Sequence, residues 1–248
     1  MSGKNKKDKK TKVMDKEVVY GPNPIMEMLK AKKRKLYSIY TKKPLPKAWE
    51  KIQKYLPPVV PNTQYVDKSA LDGIARSPDH KGIIALVSPF KYAQKMFDPA
   101  KKPLILLLDS VQDVGNLGAI LRSAYCSGVD GVILCENRAA LITPAVLSAS
   151  AGYAEYLDIY CVPSVGYAVK EIREAGYTLY MAVMNGQNAA TVEYKRPACL
   201  VIGNEASGIS KEVQKYGELI TIPQRSPDIS YNASVAAGIL LFLLSGKK

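Results

Sequence analysis

Apolar positions along the chain follow two different rhythms. From Val18 to Val87 they are spaced out among basic residues. Ile25, Met28 and Leu29 recur at helical spacing behind the breaker Gly21-Pro22-Asn23-Pro24, and Leu36–Tyr40 alternates as a strand does. Lys47–Tyr55, carrying Trp49 and Ile52, predicts a second helix, Ser69–Ala75 a third, and Gly82–Val87 a strand that stops before Ser88-Pro89. After Pro103 the apolar runs become continuous. Leu104–Leu108 and Gly131–Leu134 predict strands buried on both faces, with a loop over 109–118 and a helix over Ala119–Ser127 between them. Further strands are expected at Tyr177–Val183, Ala198–Ile202 and Leu219–Ile222, and a helix apolar nearly all round at Val235–Leu244.

That succession predicts an α/β fold, a mostly parallel sheet with helices on both faces, preceded by a small mixed α/β domain. The expected boundaries are an arm over 1–17, a first domain over 18–89, a linker over 90–103 and a second domain over 104–248. Ligands of such sheets bind in loops beyond the carboxyl ends of the strands, which directs attention to three loops.

Charge divides the chain in the same way. The 248 residues carry a formal charge of +13 with 47% apolar and 23% charged side chains, which excludes a disordered chain, a collagen repeat and a membrane bundle. Residues 1–12 hold six Lys and one Asp, and residues 30–54 hold ten basic side chains against Glu50 alone. From Met96 onward 13 basic side chains face 14 acidic ones, so the second domain is nearly neutral. The basic end suits a polyanion. Lys32, Lys33, Arg34, Lys35, Lys42 and Lys43 are expected to face the phosphates of such a polyanion, with a steep loss of affinity in salt. Trp49, Tyr37, Tyr40 and Tyr55 lie among these lysines and either stack on unpaired bases or, for Trp49 above all, fill the core.

Other chemistries find little support. Cys126, Cys135, Cys161 and Cys199 form no close pair and His80 is the one histidine, so no metal site is expected. The start of the chain has no secretory signal, and a Lys-only tail with Asp8 and Asp15 does not suit a transit peptide; a cytoplasmic protein with reduced thiols and no membrane partner is expected.

The first of the three loops runs from Asp109 to Arg122 through Asp113-Val114-Gly115-Asn116-Leu117-Gly118. By spacing alone it reads as an ordinary strand-to-helix turn with a surface Arg122. The second, Gly203-Asn204-Glu205-Ala206-Ser207-Gly208-Ile209, has neither a P-loop ending nor the dinucleotide fingerprint, which disfavours triphosphate binding and a nicotinamide oxidoreductase. Its Glu205 is either solvated or fixed to orient a substrate. The third runs from Ile222-Pro223-Gln224 to Ser230-Tyr231-Asn232-Ala233-Ser234 and enters the apolar helix; one of Ser230, Asn232 and Ser234 is expected to cap it.

In order and wording the three loops resemble the signature motifs of the SpoU, or TrmH, class of RNA ribose 2′-O-methyltransferases in the SPOUT superfamily, with Val114 in place of Pro and Tyr231 in place of Leu. Ser150-Ala151-Gly152 is similar to the family's small-residue stretch, and His80-Lys81-Gly82-Ile83-Ile84-Ala85 to the end of its substrate-binding domain. The resemblance covers about residues 18–245. It implies S-adenosylmethionine as cofactor, a carboxyl-terminal trefoil knot and a homodimer. Matched position by position, it implies a catalytic set of Asn116, Arg122, Glu205, Ser230 and Asn232, and cofactor contacts from Gly203, Asn204, Ile222, Gln224, Tyr231 and Ala233. Arginine normally stays protonated, so stabilising an alkoxide and binding the target phosphate suit Arg122 better than proton abstraction. The domain arrangement resembles the bacterial 23S rRNA guanosine methyltransferases most. A tRNA target, a resistance methylation of rRNA adenosine and a noncatalytic RNA-binding assembly factor are the other readings.

Overall fold

The computed structural model describes residues 16–59, 62–137, 139–226 and 229–246. The expected basic arm lies, up to residue 15, outside the described residues, as do Pro227 and Asp228 of the third loop. The first domain contains β1 (Glu17–Tyr20), α1 (Pro22–Ala31), β2 (Leu36–Thr41), α2 (Trp49–Gln53), β3 (Asn62–Tyr65), α3 (Lys68–Ala75) and β4 (Ile83–Val87). Its sheet runs β1-β4-β2-β3, antiparallel except for the β2–β3 pair. Gly21, at φ 87°, turns the chain out of β1, and Pro22 opens α1 where no helical N–H bond is lost. Trp49 is buried beside Ile52, so the core reading of that residue holds.

The second domain adds β5 (Leu104–Leu108), α4 (Val114–Cys126), β6 (Gly131–Cys135), α5 (Pro144–Ala149), β7 (Ile159–Val162), α6 (Val165–Glu174), β8 (Thr178–Asn188), β9 (Ala198–Ile202), α7 (Lys211–Gln214), β10 (Glu218–Thr221) and α8 (Ala233–Ser245). Its sheet runs β10-β8-β9-β5-β6-β7 and every pairing is parallel. Because side chains alternate across a strand, Leu104, Leu106 and Leu108 join one core, with residues of α1, α4, α5 and α8, while Ile105 and Leu107 join the other, with residues of α6 and α7. Each such fully buried side chain contributes about 1.5–3 kcal/mol.

Two expectations change. The segment 90–103 is a docked strap, not a free linker: the Ala93 amide donates to the Ile159 carbonyl at 2.7 Å, and Phe97 is buried over Gly131, where a Cβ would come within 2.5 Å of its ring. Arg34 does not face outward. Its guanidinium is 1% exposed, donating to Glu155 at 3.1 Å, to Glu17 and to the Ser88 carbonyl at 2.7 Å. Lys33 is also engaged, reaching Asp158 at 3.0 Å and the Tyr156 carbonyl at 3.1 Å, whereas Lys32, Lys35, Lys42 and Lys43 stay exposed. The bonds to Glu155, Asp158 and Tyr156 join the two domains, and Gly152, at φ 90°, lets them close: a Cβ there would sit 2.8 Å from Glu27 and Pro24 of α1.

Burial pushes the Glu155 carboxyl above its ordinary range, against the opposing pull of Arg34. A carboxyl with a raised folded pKa contributes stability that is full below its unfolded value and fades as pH rises through the folded one. Arg34→Met strands Glu155 at neutral pH and is expected to cost about 3–5 kcal/mol there, shrinking on acidification as Glu155 takes up a proton. Urea unfolding at pH 7.5 and pH 5 checks this; an equal loss at both contradicts it.

Candidate active site

Helix α4 begins at Val114, five residues before the expected start, because Asp113 caps it: the Asp113 carboxylate accepts the Asn116 amide at 2.6 Å. Val114 takes the first helical position, which a proline would also fit, so this departure from the motif leaves the turn intact. Gly118 is required by packing, since a Cβ there would lie 2.3 Å from that of Ala149 on α5. The outcome is an Asn116 side chain held at the mouth of the strand-end loops.

Asn116 joins all three loops. Its Nδ2 donates to Glu205 Oε1 at 3.2 Å, and its Oδ1 accepts from Asn232 Nδ2 at 3.0 Å. Asn232 is the cap of α8, its Oδ1 accepting from the Ser234 amide at 2.8 Å and the Ser234 hydroxyl at 2.6 Å. One residue thus serves as helix cap and as bridge. Asn204 braces its own loop, with Oδ1 accepting from the Ala206 and Ser207 amides, and ties it to the first, with Nδ2 donating to the Ser110 carbonyl at 2.8 Å. Gly203 lies against Gly208 and Ile209 so closely that a Cβ would be 2.4 Å from backbone.

Beside this junction is a cavity of about 650 Å³, lined by Gly203, Asn204, Glu205, Ile222, Gln224, Ser230, Tyr231, Asn232 and Ala233 among others. All six expected cofactor residues line it, together with Glu205, Ser230 and Asn232. Gln224 Oε1 is buried without a partner among the described residues. Arg122 does not line the cavity. Six residues on from Asn116, it stands about 9 Å further along the helix axis, its guanidinium 5.9 Å from the Tyr153 ring centre.

The far wall was not anticipated from sequence. β8 pairs with β10 through Tyr180 and Met181, then resumes at Gln187 and Asn188, and the slack between carries Met184 and Asn185 into the cavity wall. Thr221 Oγ1 donates to the Met184 carbonyl at 2.9 Å, and Gly186 permits the crossing, since a Cβ would lie 2.7 Å from Leu219. The signal in the sequence is Asn185-Gly186, one residue beyond the end of the expected strand. Asp109, at the end of β5, has its carboxyl pushed up by burial, partly offset by the Ser110 hydroxyl bonded to it. No group of three or more His, Cys, Asp or Glu among the described residues could hold a metal, and no helix there is long and apolar enough to cross a membrane.

Known proteins share this plan. The family model of the SpoU rRNA methylase family matches residues 103–242, and that for RNA 2′-O ribose methyltransferase substrate binding matches residues 18–93. A Staphylococcus haemolyticus protein named as a TrmH family tRNA/rRNA methyltransferase is 35% identical over 197 residues, 75% of this chain and 77% of that one. A Synechocystis protein named as an uncharacterized tRNA/rRNA methyltransferase is 37% identical over 185 residues, 71% of this chain but 48% of its own length, so the match spans about half of that relative. Among solved structures, an AdoMet-bound rRNA methyltransferase from Sinorhizobium meliloti superposes with TM-score 0.77 at 22% identity, covering 92% of this chain and 86% of that one. An RNA 2′-O ribose methyltransferase superposes with TM-score 0.80 at 20% identity, covering 93% and 88%. At such identities these two likenesses establish the fold. With the family model spanning more than half of its residues and its three motif loops joined at Asn116, the chain belongs to the SpoU rRNA methylase family.

Proposed function

We propose that this chain transfers a methyl group from S-adenosylmethionine to a ribose 2′-hydroxyl of RNA, with a guanosine of 23S rRNA as substrate and a cytoplasmic homodimer as the working form. The observation that carries the reading is the meeting of the three motif loops at Asn116 beside one cavity. The cavity has the size of a cofactor site, and the residues present fit the methyl donor. Gln224 Oε1 supplies a buried acceptor still lacking a donor among the described residues, and Gly203 and Asn204 line the same wall. The expected trefoil knot belongs to this reading. The homodimer is supported by α8, which leaves Val235 49% and Phe242 70% exposed.

When bound, S-adenosylmethionine supplies an electrophilic methyl on a sulfonium. The chain's own work is to orient the ribose and stabilise the charge that develops on its oxygen. Glu205 is fixed through one carboxylate oxygen by Asn116, leaving the other to accept from the ribose hydroxyl. Asn232 and Ser230 hold the sugar from the third loop. Arg122, standing outside the cavity, carries the positive charge that binds the target phosphate and favours the alkoxide.

Calorimetric titration of the full chain with S-adenosylmethionine, followed by labelled-methyl transfer into unmodified rRNA and tRNA and digestion to nucleosides, tests this. Binding with 2′-O-methylguanosine in large-subunit rRNA is expected. Label in tRNA alone overturns the substrate, and a folded protein without binding or label overturns the enzyme in favour of an RNA-binding factor. Arg122→Ala is expected to lower kcat/KM by about 10²–10³-fold with cofactor affinity unchanged. RNA affinity measured from 50 to 200 mM salt is expected to fall linearly on logarithmic axes, reflecting phosphate contacts by the exposed lysines; a flat dependence contradicts that role.

A further inference from the structure

The residues around Arg122 form a feature that the motifs do not include. Tyr125, three positions on along α4, is 39% exposed, and its ring centre lies 5.0 Å from those of both Tyr153 and Tyr156. The Tyr125 and Tyr153 planes are stacked at 23°, and Tyr153 is the ring beneath the Arg122 guanidinium. This cluster is anchored from the other domain: the Tyr156 hydroxyl donates to Glu27 Oε2 at 2.8 Å, and Lys30 donates to Glu27 Oε1 at 2.8 Å. Lys30 in turn stands 5.1 Å from the ring of Tyr55, which is 43% exposed. A line of aromatic rings flanked by cations thus runs from Arg122 across the domain seam to Tyr55, just beyond α2.

We propose that Tyr125, backed by Tyr153 and Tyr156, is a stacking platform for an unpaired RNA base next to the nucleotide whose phosphate Arg122 holds. This rests on the methyltransferase reading for its position and on the aromatic geometry for its chemistry. A flat ring open to solvent, beside a guanidinium, offers a base its π-face and the adjoining phosphate a cation, the combination used on single strands. The nearby carboxylates do not oppose a phosphate, because Glu27 is 7% exposed and paired with Lys30, and Glu155 is 1% exposed and paired with Arg34. Nor does the α8 face compete for the ring. Ser123 is the α4 side chain that meets Gly238 of α8, whereas Tyr125 lies on the edge turned toward Tyr153. The backing rings are held before RNA arrives, so little ordering is lost on binding.

Stacking on one aromatic side chain corresponds to about 5–150-fold in affinity per base. Tyr125→Ala and Tyr125→Leu are each expected to weaken binding of unmodified rRNA by at least fivefold and to raise KM for RNA, with S-adenosylmethionine affinity and the thermal midpoint close to those of the native chain. Tyr125→Phe is expected to stay within about twofold, because the ring and not the hydroxyl does the binding. Ultraviolet cross-linking of the full chain to rRNA carrying 4-thiouridine, mapped by mass spectrometry, is expected to mark Tyr125 or Tyr153. Unchanged RNA affinity in Tyr125→Ala, or a loss in Tyr125→Phe equal to that in Tyr125→Ala, overturns the proposal. If the native chain binds RNA but transfers no methyl group, and Tyr125→Ala still weakens that binding, the platform stands and the methyltransferase reading fails.

Discussion

Asn116 is an amide with a donor and an acceptor pointing in opposite directions, and the site depends on both being used. Through Nδ2 it fixes Glu205 of the second loop, and through Oδ1 it takes Asn232 of the third. A carboxylate or an ammonium in its place would serve one partner and repel or ignore the other, so the residue type follows from the chemistry of its neighbours. The placing of Asn116 is in turn a matter of helix geometry: Asp113 caps α4 and Gly118 lets α4 settle onto α5. Local capping, helix packing and the meeting of three loops distant in sequence are therefore one chain of causes.

A second set of polar contacts fixes the two domains to each other. Arg34 and Glu155 form a buried ion pair between the domains, with the half-buried Glu17 on the other side of the guanidinium, while Lys33 and Lys102 share Asp158. Burial raises the Asp158 carboxyl, but the two lysine bonds outweigh it and hold the group below its ordinary range. With the domains joined this way, the exposed lysines of the first and Arg122 of the second keep a fixed relation, which the proposed reading, with one RNA touching both, requires.

Much of this was legible in the sequence, and the exceptions have physical reasons. The strand Leu104–Leu108 and the strand Ala198–Ile202 come out as expected because a strand buried on both faces has no polar position to obscure it. β3 was not read, since Asn62–Tyr65 is an edge strand with mostly exposed polar residues and no alternation. α4 starts earlier than its sequence suggests because Gly115, Asn116 and Gly118 are poor helix formers that a cap and a close helix contact override. Arg34 read as a surface cation because composition cannot say which member of a basic run meets a buried carboxylate 121 residues away. The motif residues were legible as a set through their resemblance to a family; their joining at Asn116, and the wall contributed by Met184 and Asn185, required the fold.

The measurement that bears most directly on the role of Asn116 is a mutant cycle read in methyl-transfer kcat/KM. Glu205→Ala and Asn232→Ala are combined first in a background with Asn116 and then in Asn116→Ala. Groups linked through a shared partner couple by about 0.5–3 kcal/mol, whereas independent sites add. Coupling between Glu205 and Asn232 that disappears when Asn116 is removed is the predicted result. Additivity in both backgrounds, or coupling that survives without Asn116, would contradict the account.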